Sequence, residues 1–174
     1  MSYFANELMK DSNCGRDFRD QNPLVLQAYN GLVAYEPLYK ATCIKDKQGE
    51  YCYSNAITNV TNPGDAYPYF TALGLPMLGI AHPTCNQCLK QTMEIFAEYA
   101  VNKVQALSVT YLPCAQQVNG GCGVGYANAN VKVGTVDSGM GDKAQSMKSI
   151  ATKGTRANSI VAMAVALGMV LITL

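Results

Sequence analysis

Two sulfurs three residues apart, Cys85-Asn-Gln-Cys88, are the side chains best placed to do chemistry in this 174-residue chain. At the start of a helix such a pair can act as a redox couple, because the helix N-terminus favours a thiolate there. That chemistry wants a β-strand leading into the motif, and Pro76-Met-Leu-Gly-Ile-Ala-His-Pro83 makes a poor strand. Zinc is the second option. It would draw two more ligands from Cys43, Cys52 or His82, the single histidine of the chain. There is no second CxxC to support it, so the two sulfurs read better as structural staples, and no metal or cofactor is expected.

The remaining candidates weaken on inspection. Gly120-Gly-Cys-Gly-Val-Gly125 loosely resembles a phosphate-binding loop, but it lacks the Lys-Ser/Thr ending and a preceding strand, so a turn around a disulfide is the better reading. His82 has no evident carboxylate partner and is expected on a solvent-facing loop. Glu94 and Glu98 stand four apart on the polar side of one helix, where a solvated face explains them more simply than a glycosidase pair. Tyrosines at 29, 35, 39, 51, 53, 67 and 69 could stack on sugars, although packing in an amphipathic core accounts for most of them. Asn59-Val-Thr61 is the one clear N-glycosylation sequon, in a turn-rich stretch where an exposed loop belongs.

The elements that must position these residues are helical. Asn22-Pro23 reads as a cap followed by proline at the first helical position, opening a helix to Tyr39 that Pro37 should bend or end. A second helix is expected from Thr84, where Thr84 and Gln87 have capping-box spacing. Cys85, Leu89, Met93, Phe96, Ala97 and Ala100 form its apolar stripe. A third is expected from about Ala106 to Val118, interrupted or offset at Pro113. Between Lys45 and His82 the proline-rich turns predict loops.

Composition sets the outer bounds. Hydrophobic residues make up 49% and charged residues 14% of the chain, well under the usual quarter, which excludes a disordered charged tail. Thirteen basic and twelve acidic residues give a net charge of +1 without a basic run, so nucleic acid is not an expected partner. The apolar residues concentrate at Ile160–Leu174, an uncharged run shorter than the roughly 20 residues of a membrane-spanning helix. A polar stretch, Gly134–Ser159, precedes it. Small residues, a polar spacer and a terminal apolar tail are the layout of a glycosylphosphatidylinositol attachment signal, whose tail is removed. Ser149 is the expected attachment residue, leaving an eight-residue spacer, with Ala144 a close second. A tail-anchored cytosolic protein is the alternative. Met1–Lys10 (MSYFANELMK) has neither a basic start nor a long apolar run, so the lumenal reading expects a leader ahead of it. Seven cysteines, all within the first 122 residues, favour the oxidising compartment.

Six blocks carry a family resemblance: Cys14-Gly-Arg-Asp17, Gln21-Asn-Pro23, Gln27–Tyr39, Tyr51–Asn59, Pro83–Leu89 and Ala115–Gly123. Over residues 5–130 the chain resembles an uncharacterised fungal family of secreted cysteine-rich proteins. The resemblance implies a leader, one cysteine-rich domain of unknown function and often a C-terminal lipid anchor. It transfers no activity. Cys114 departs from the pattern, which carries a small residue other than cysteine there. Setting it aside leaves Cys14, Cys43, Cys52, Cys85, Cys88 and Cys122, an even set with fifteen possible connectivities. Three bridges are expected, Cys43–Cys52 as the natural local pair, with Cys85 and Cys88 reaching Cys14 and Cys122. Cys114 is expected to stay unpaired and half-buried.

The chain is thus expected to be mainly α: a disulfide-braced helical domain over 1–133, a polar linker over 134–159 and a hydrophobic tail over 160–174. Its expected role is that of a non-catalytic glycoprotein on the extracellular face of the plasma membrane or in the wall. The membrane, through the lipid anchor, and wall polysaccharide or a surface protein are the expected partners. An enzyme acting on wall glycans is the rival reading.

Overall fold

The computed structural model describes residues 1–137; Ser149, Ala144, most of the expected linker and the whole hydrophobic run lie outside the described residues. The described residues hold seven α-helices and no strand. Three long helices make the frame: α3 (Pro23–Thr42), α6 (Gln87–Ala100) and α7 (Leu107–Cys122). Four short ones, α1 (Ser2–Leu8), α2 (Gly15–Arg19), α4 (Cys52–Thr58) and α5 (Tyr67–Phe70), fill in around them.

α3 starts where its cap dictates. Asn22 Oδ1 accepts the Leu24 N–H at 3.0 Å, and Pro23 occupies the first turn, where its missing N–H costs nothing. The helix does not end at Pro37 but runs on to Thr42, and α7 likewise runs unbroken through Pro113 to Cys122. An interior proline costs roughly 3 kcal/mol. Burial on both sides offsets it: Val33, Ala34 and Ala41 flank Pro37, and Tyr111, Cys114 and Ala115 flank Pro113. α6 begins later than expected. Asn86, not Thr84, caps it, accepting the Leu89 N–H at 2.9 Å, so Cys85 precedes the helix. Its buried face is Leu89, Thr92, Met93, Phe96 and Ala100, close to the stripe read from the sequence.

Phe96, Met93, Leu107, Tyr111 and Val118, none more than 1% exposed, anchor the main core between α6 and α7, which Tyr69 and α3 close. A smaller cluster of Ala5, Tyr29 and Val33, with Phe18 edge-on to Tyr29, seats α1 and α2 on α3. The stretch from Lys45 to His82 is less loop-like than expected, since it carries α4, α5 and two 3₁₀ turns, Pro63–Ala66 and Thr71–Leu73. The second turn ends at Gly74 with φ +88°, where a Cβ would stand 2.8 Å from Asn30 Nδ2. Packing carries slightly past residue 133: Gly134 N–H donates to Ala100 O and Val136 N–H to Val101 O, both at 2.9 Å.

Two disulfides staple the frame, Cys52–Cys88 and Cys85–Cys122. The second joins the start of α6 to the end of α7, as an antiparallel hairpin requires. Cys88 and Cys85 therefore do reach different segments, but the expected three bridges become two, and Cys14 and Cys43 are unbonded. Cys43–Cys52 does not form, because the Cys52 sulfur is committed to Cys88, although the loop between the two residues is closed. Asp46 Oδ1 accepts the Gln48 and Glu50 N–H groups, each at 2.9 Å, and Lys45 pairs with Tyr51. Cys52 is buried and bonded to Cys88, while Cys43 is exposed at the end of α3. Cys14 opens α2, which packs on α3, and Cys122 bonds to Cys85, one of the two partners left open for it.

Candidate functional site

A groove of about 580 Å³ with a mixed polar and apolar lining lies against the Cys52–Cys88 bridge. One wall is the first turn of α6 with Asn86, Gln87 and Gln91; the other is the Lys45–Gln48 loop and α4 with Asn55. Side-chain amides and two lysines share this lining with Ala56, Pro83, Leu89 and the disulfide, and amides of this kind can hydrogen-bond hydroxyl-rich ligands.

The far end is built by one carboxylate. Asp65 Oδ1 accepts the Thr84 N–H at 2.5 Å and Asn62 Nδ2 at 3.1 Å. Its Oδ2 accepts Asn59 Nδ2 at 2.7 Å and the Thr84 hydroxyl at 3.1 Å. Asn62 Nδ2 also donates to His82 O at 2.9 Å, so the 59–65 turn is clamped to the 82–84 segment. Gly64 lets the two backbones approach: a Cβ there would lie 2.8 Å from Asn62 Oδ1 and 3.3 Å from His82 N. Asp46, the other carboxylate of the groove, takes Asn55 Nδ2 on Oδ2 at 2.9 Å besides its two backbone donors. Both oxygens of both carboxylates are thus engaged by the chain itself.

The sequence-predicted residues fall into place around this groove with differing success. Cys52 and Cys88 help to line it, and Cys85 with Cys122 braces the α6 wall from behind. The CxxC sulfurs sit in separate bridges and do not pair with each other. Asn59 lies at the groove rim, half-buried, with Oδ1 accepting the Thr61 and Asn62 N–H groups at 3.1 Å each. The sequon is therefore also a turn-closing device, and its attachment nitrogen already donates to Asp65. Val60 and Thr61 beside it are exposed. Cys14, Cys43 and Cys114 stand away from the groove lining.

Of the tyrosines, Tyr29 and Tyr69 are core, Tyr53 and Tyr67 are half-buried, and Tyr35, Tyr39 and Tyr51 are exposed. Tyr35 and Tyr39 stack nearly parallel, and Lys45 Nζ sits 4.7 Å over the Tyr51 ring at the groove mouth. Gly120, Gly121 and Cys122 belong to α7, so the turn expected over Gly120–Gly125 is confined to Gly123–Gly125, next to the Cys85–Cys122 bridge. His82, Glu94 and Glu98 are exposed. Cys114 is unpaired as expected but fully rather than half-buried, and burial pushes its thiol up to about 12. Asp65, Asn62 and Thr84 were missed as a unit. Asn62-Pro-Gly-Asp65 is legible as a turn, but nothing local announces that its carboxylate reaches nineteen residues onward to Thr84.

Fold and site define a disulfide-braced helical domain with a groove that the Cys52–Cys88 bridge helps to line. The chain belongs to the family described as Domain of unknown function (DUF7729), which it matches over residues 1–131. No curated protein and no solved structure matches it.

Proposed function

We propose that this chain is a non-catalytic glycoprotein of a fungal cell surface, held at the outer face of the membrane or in the wall by a glycosylphosphatidylinositol anchor. Its groove takes a hydroxyl-rich ligand, with wall polysaccharide the class that fits. The groove itself carries the reading. It is open, about 580 Å³, sets the side-chain amides of Asn55, Asn86, Gln87 and Gln91 beside an apolar surface, and has the Cys52–Cys88 bridge in its lining. Two disulfides in one small domain fit an oxidising compartment better than the cytosol, which weighs against the tail-anchored alternative. The polar stretch and apolar run after residue 133 supply the anchor layout.

The rival reading, a glycan-acting enzyme, needs an acid and a base or nucleophile with free oxygens facing the substrate. Asp46 and Asp65 have theirs committed to scaffold hydrogen bonds, which favours binding over catalysis. Co-sedimentation with insoluble chitin, β-glucan and mannan tests the proposal. Binding to one of them, weakened about tenfold or more by Gln87→Ala with Gln91→Ala, is the expected result; losing a well-placed hydrogen bond in such a site costs about 1 kcal/mol each. Retention on none of them, or release of soluble sugar during incubation, would overturn it.

A further inference from the structure

Three sulfurs from three segments converge inside the α6–α7 hairpin, away from the groove. Cys114 Sγ on α7 lies 3.9 Å from Met77 Sδ and 4.0 Å from Met93 Sδ on α6. Cys114 and Met93 are each 1% exposed, while Met77, in the loop after Gly74, is half-buried. Among the described residues the Cys114 thiol has no oxygen or nitrogen partner; the two thioethers are its polar contacts. The loop is held in register by the same helix, for Gln117 Nε2 donates to Leu78 O at 2.7 Å and to Ala81 O at 2.8 Å. Gln117 lies three residues beyond Cys114, so α7 fixes its own sulfur and the loop's sulfur together.

A thiolate with two thioethers is a soft donor set, which selects Cu(I) over hard cations. An ion bonded to three coplanar sulfurs at about 2.3 Å, the length of a typical metal–thiolate bond, holds them about 4.0 Å apart. The two distances from Cys114 already have that value. We infer that Cys114, Met77 and Met93 form a binding site for a soft monovalent cation, Cu(I) being the physiological candidate. On binding, the Cys114 S–H bond breaks, an S–metal bond forms, and one proton leaves to solvent. Each methionine adds a lone pair, and no electron is transferred. The half-exposed Met77 is the entry side; Met93 and Cys114 lie behind it.

The test uses the full chain carrying Cys14→Ser and Cys43→Ser, so that the exposed and half-exposed thiols do not compete. It is titrated with Ag(I) as a redox-inert probe, and with Cu(I) against a chromophoric chelator under ascorbate. The expected result is uptake of one ion per chain with release of one proton and a raised Tm. Cys114→Ala should lower affinity more than about a hundredfold, beyond the about 10–100-fold that follows loss of a mere ligand-orienting residue. Met77→Leu with Met93→Leu conserves volume and leaves the core packed. That variant, with an unchanged helical spectrum, should lose about tenfold or more. Absence of one-to-one uptake overturns the site, and so does uptake that the double methionine variant leaves unchanged.

Discussion

At the scale of single residues, Asp65 does more for the groove than any other side chain. Four donors converge on it, and removing it strands Asn59, Asn62 and Thr84 together. A net hydrogen bond is worth about 1 kcal/mol, and bonds to a charged group more. Asp65→Ala is therefore expected to cost about 2–4 kcal/mol in urea unfolding. Asn59 separates structure from glycan. On unglycosylated protein, Asn59→Gln should destabilise by about 1–2 kcal/mol by opening its turn. Thr61→Ala abolishes the same sequon yet keeps the backbone N–H that Asn59 accepts, and should stay within about 0.5 kcal/mol. Equal losses in the two variants would refute the turn-closing role of Asn59. Cys114 gives a pH prediction. Burial raises its thiol from 9.0 to about 12, so the folded state favours the protonated form. Its contribution is whole below pH 9 and lost as pH climbs toward 12, so stability should fall over that window more steeply in the parent than in Cys114→Ala. In native protein at pH 8, iodoacetamide should label Cys14 and Cys43 but not Cys114, whose thiol is 1% exposed.

At the scale of elements, the long helices were legible and the short ones were not. α3 announced itself through Asn22-Pro23, and α6 through a stripe whose burial the structure repeats. α1, α2, α4 and α5, at seven residues or fewer, are too brief for a 3.6-residue period to show, and they form because the frame packs them. Thr84 misled because cap and turn chemistry use the same side chains: its hydroxyl serves Asp65, and Asn86 does the capping. The prolines misled because local propensity says nothing of burial. They now make a contrast. Pro113 lies on the exposed face of α7, so Pro113→Ala restores a helical hydrogen bond without opening a void and should stabilise by about 1–3 kcal/mol. Pro37 is fully buried, and Pro37→Ala should gain less because a cavity opposes it. Equal gains in thermal unfolding would show that burial plays no part.

At the scale of the whole molecule, two bridges of similar span hold a domain whose cores are modest. The separations are 36 and 37 residues, for which loop-closure entropy gives about 4 kcal/mol per bridge. Cys85→Ala with Cys122→Ala should loosen the α6–α7 hairpin and lower stability by about that amount. The Cys52–Cys88 pair should do the same and also impair groove binding, since both residues help to line the groove. That Cys52, Cys85, Cys88 and Cys122 are staples agrees with the reading of the cysteines as a disulfide framework, but Cys14 and Cys43, expected in it, are unbonded. Which sulfur meets which could not be read, because Cys52 passes over its near neighbour Cys43 for Cys88, 36 residues away, and nothing local to either residue announces that contact.

The proposed role is that of an oxidised domain displayed at the cell surface on a lipid. It is tested most directly by expressing the chain behind a leader, treating intact cells with phosphatidylinositol-specific phospholipase, and measuring the released protein by non-reducing mass spectrometry. The account predicts a soluble chain ending at Ser149 or Ala144 with an anchor remnant, without Ile160–Leu174, and with Cys52–Cys88 and Cys85–Cys122 intact. A chain that stays with the membrane through Leu174, with all its cysteines reduced, would contradict it.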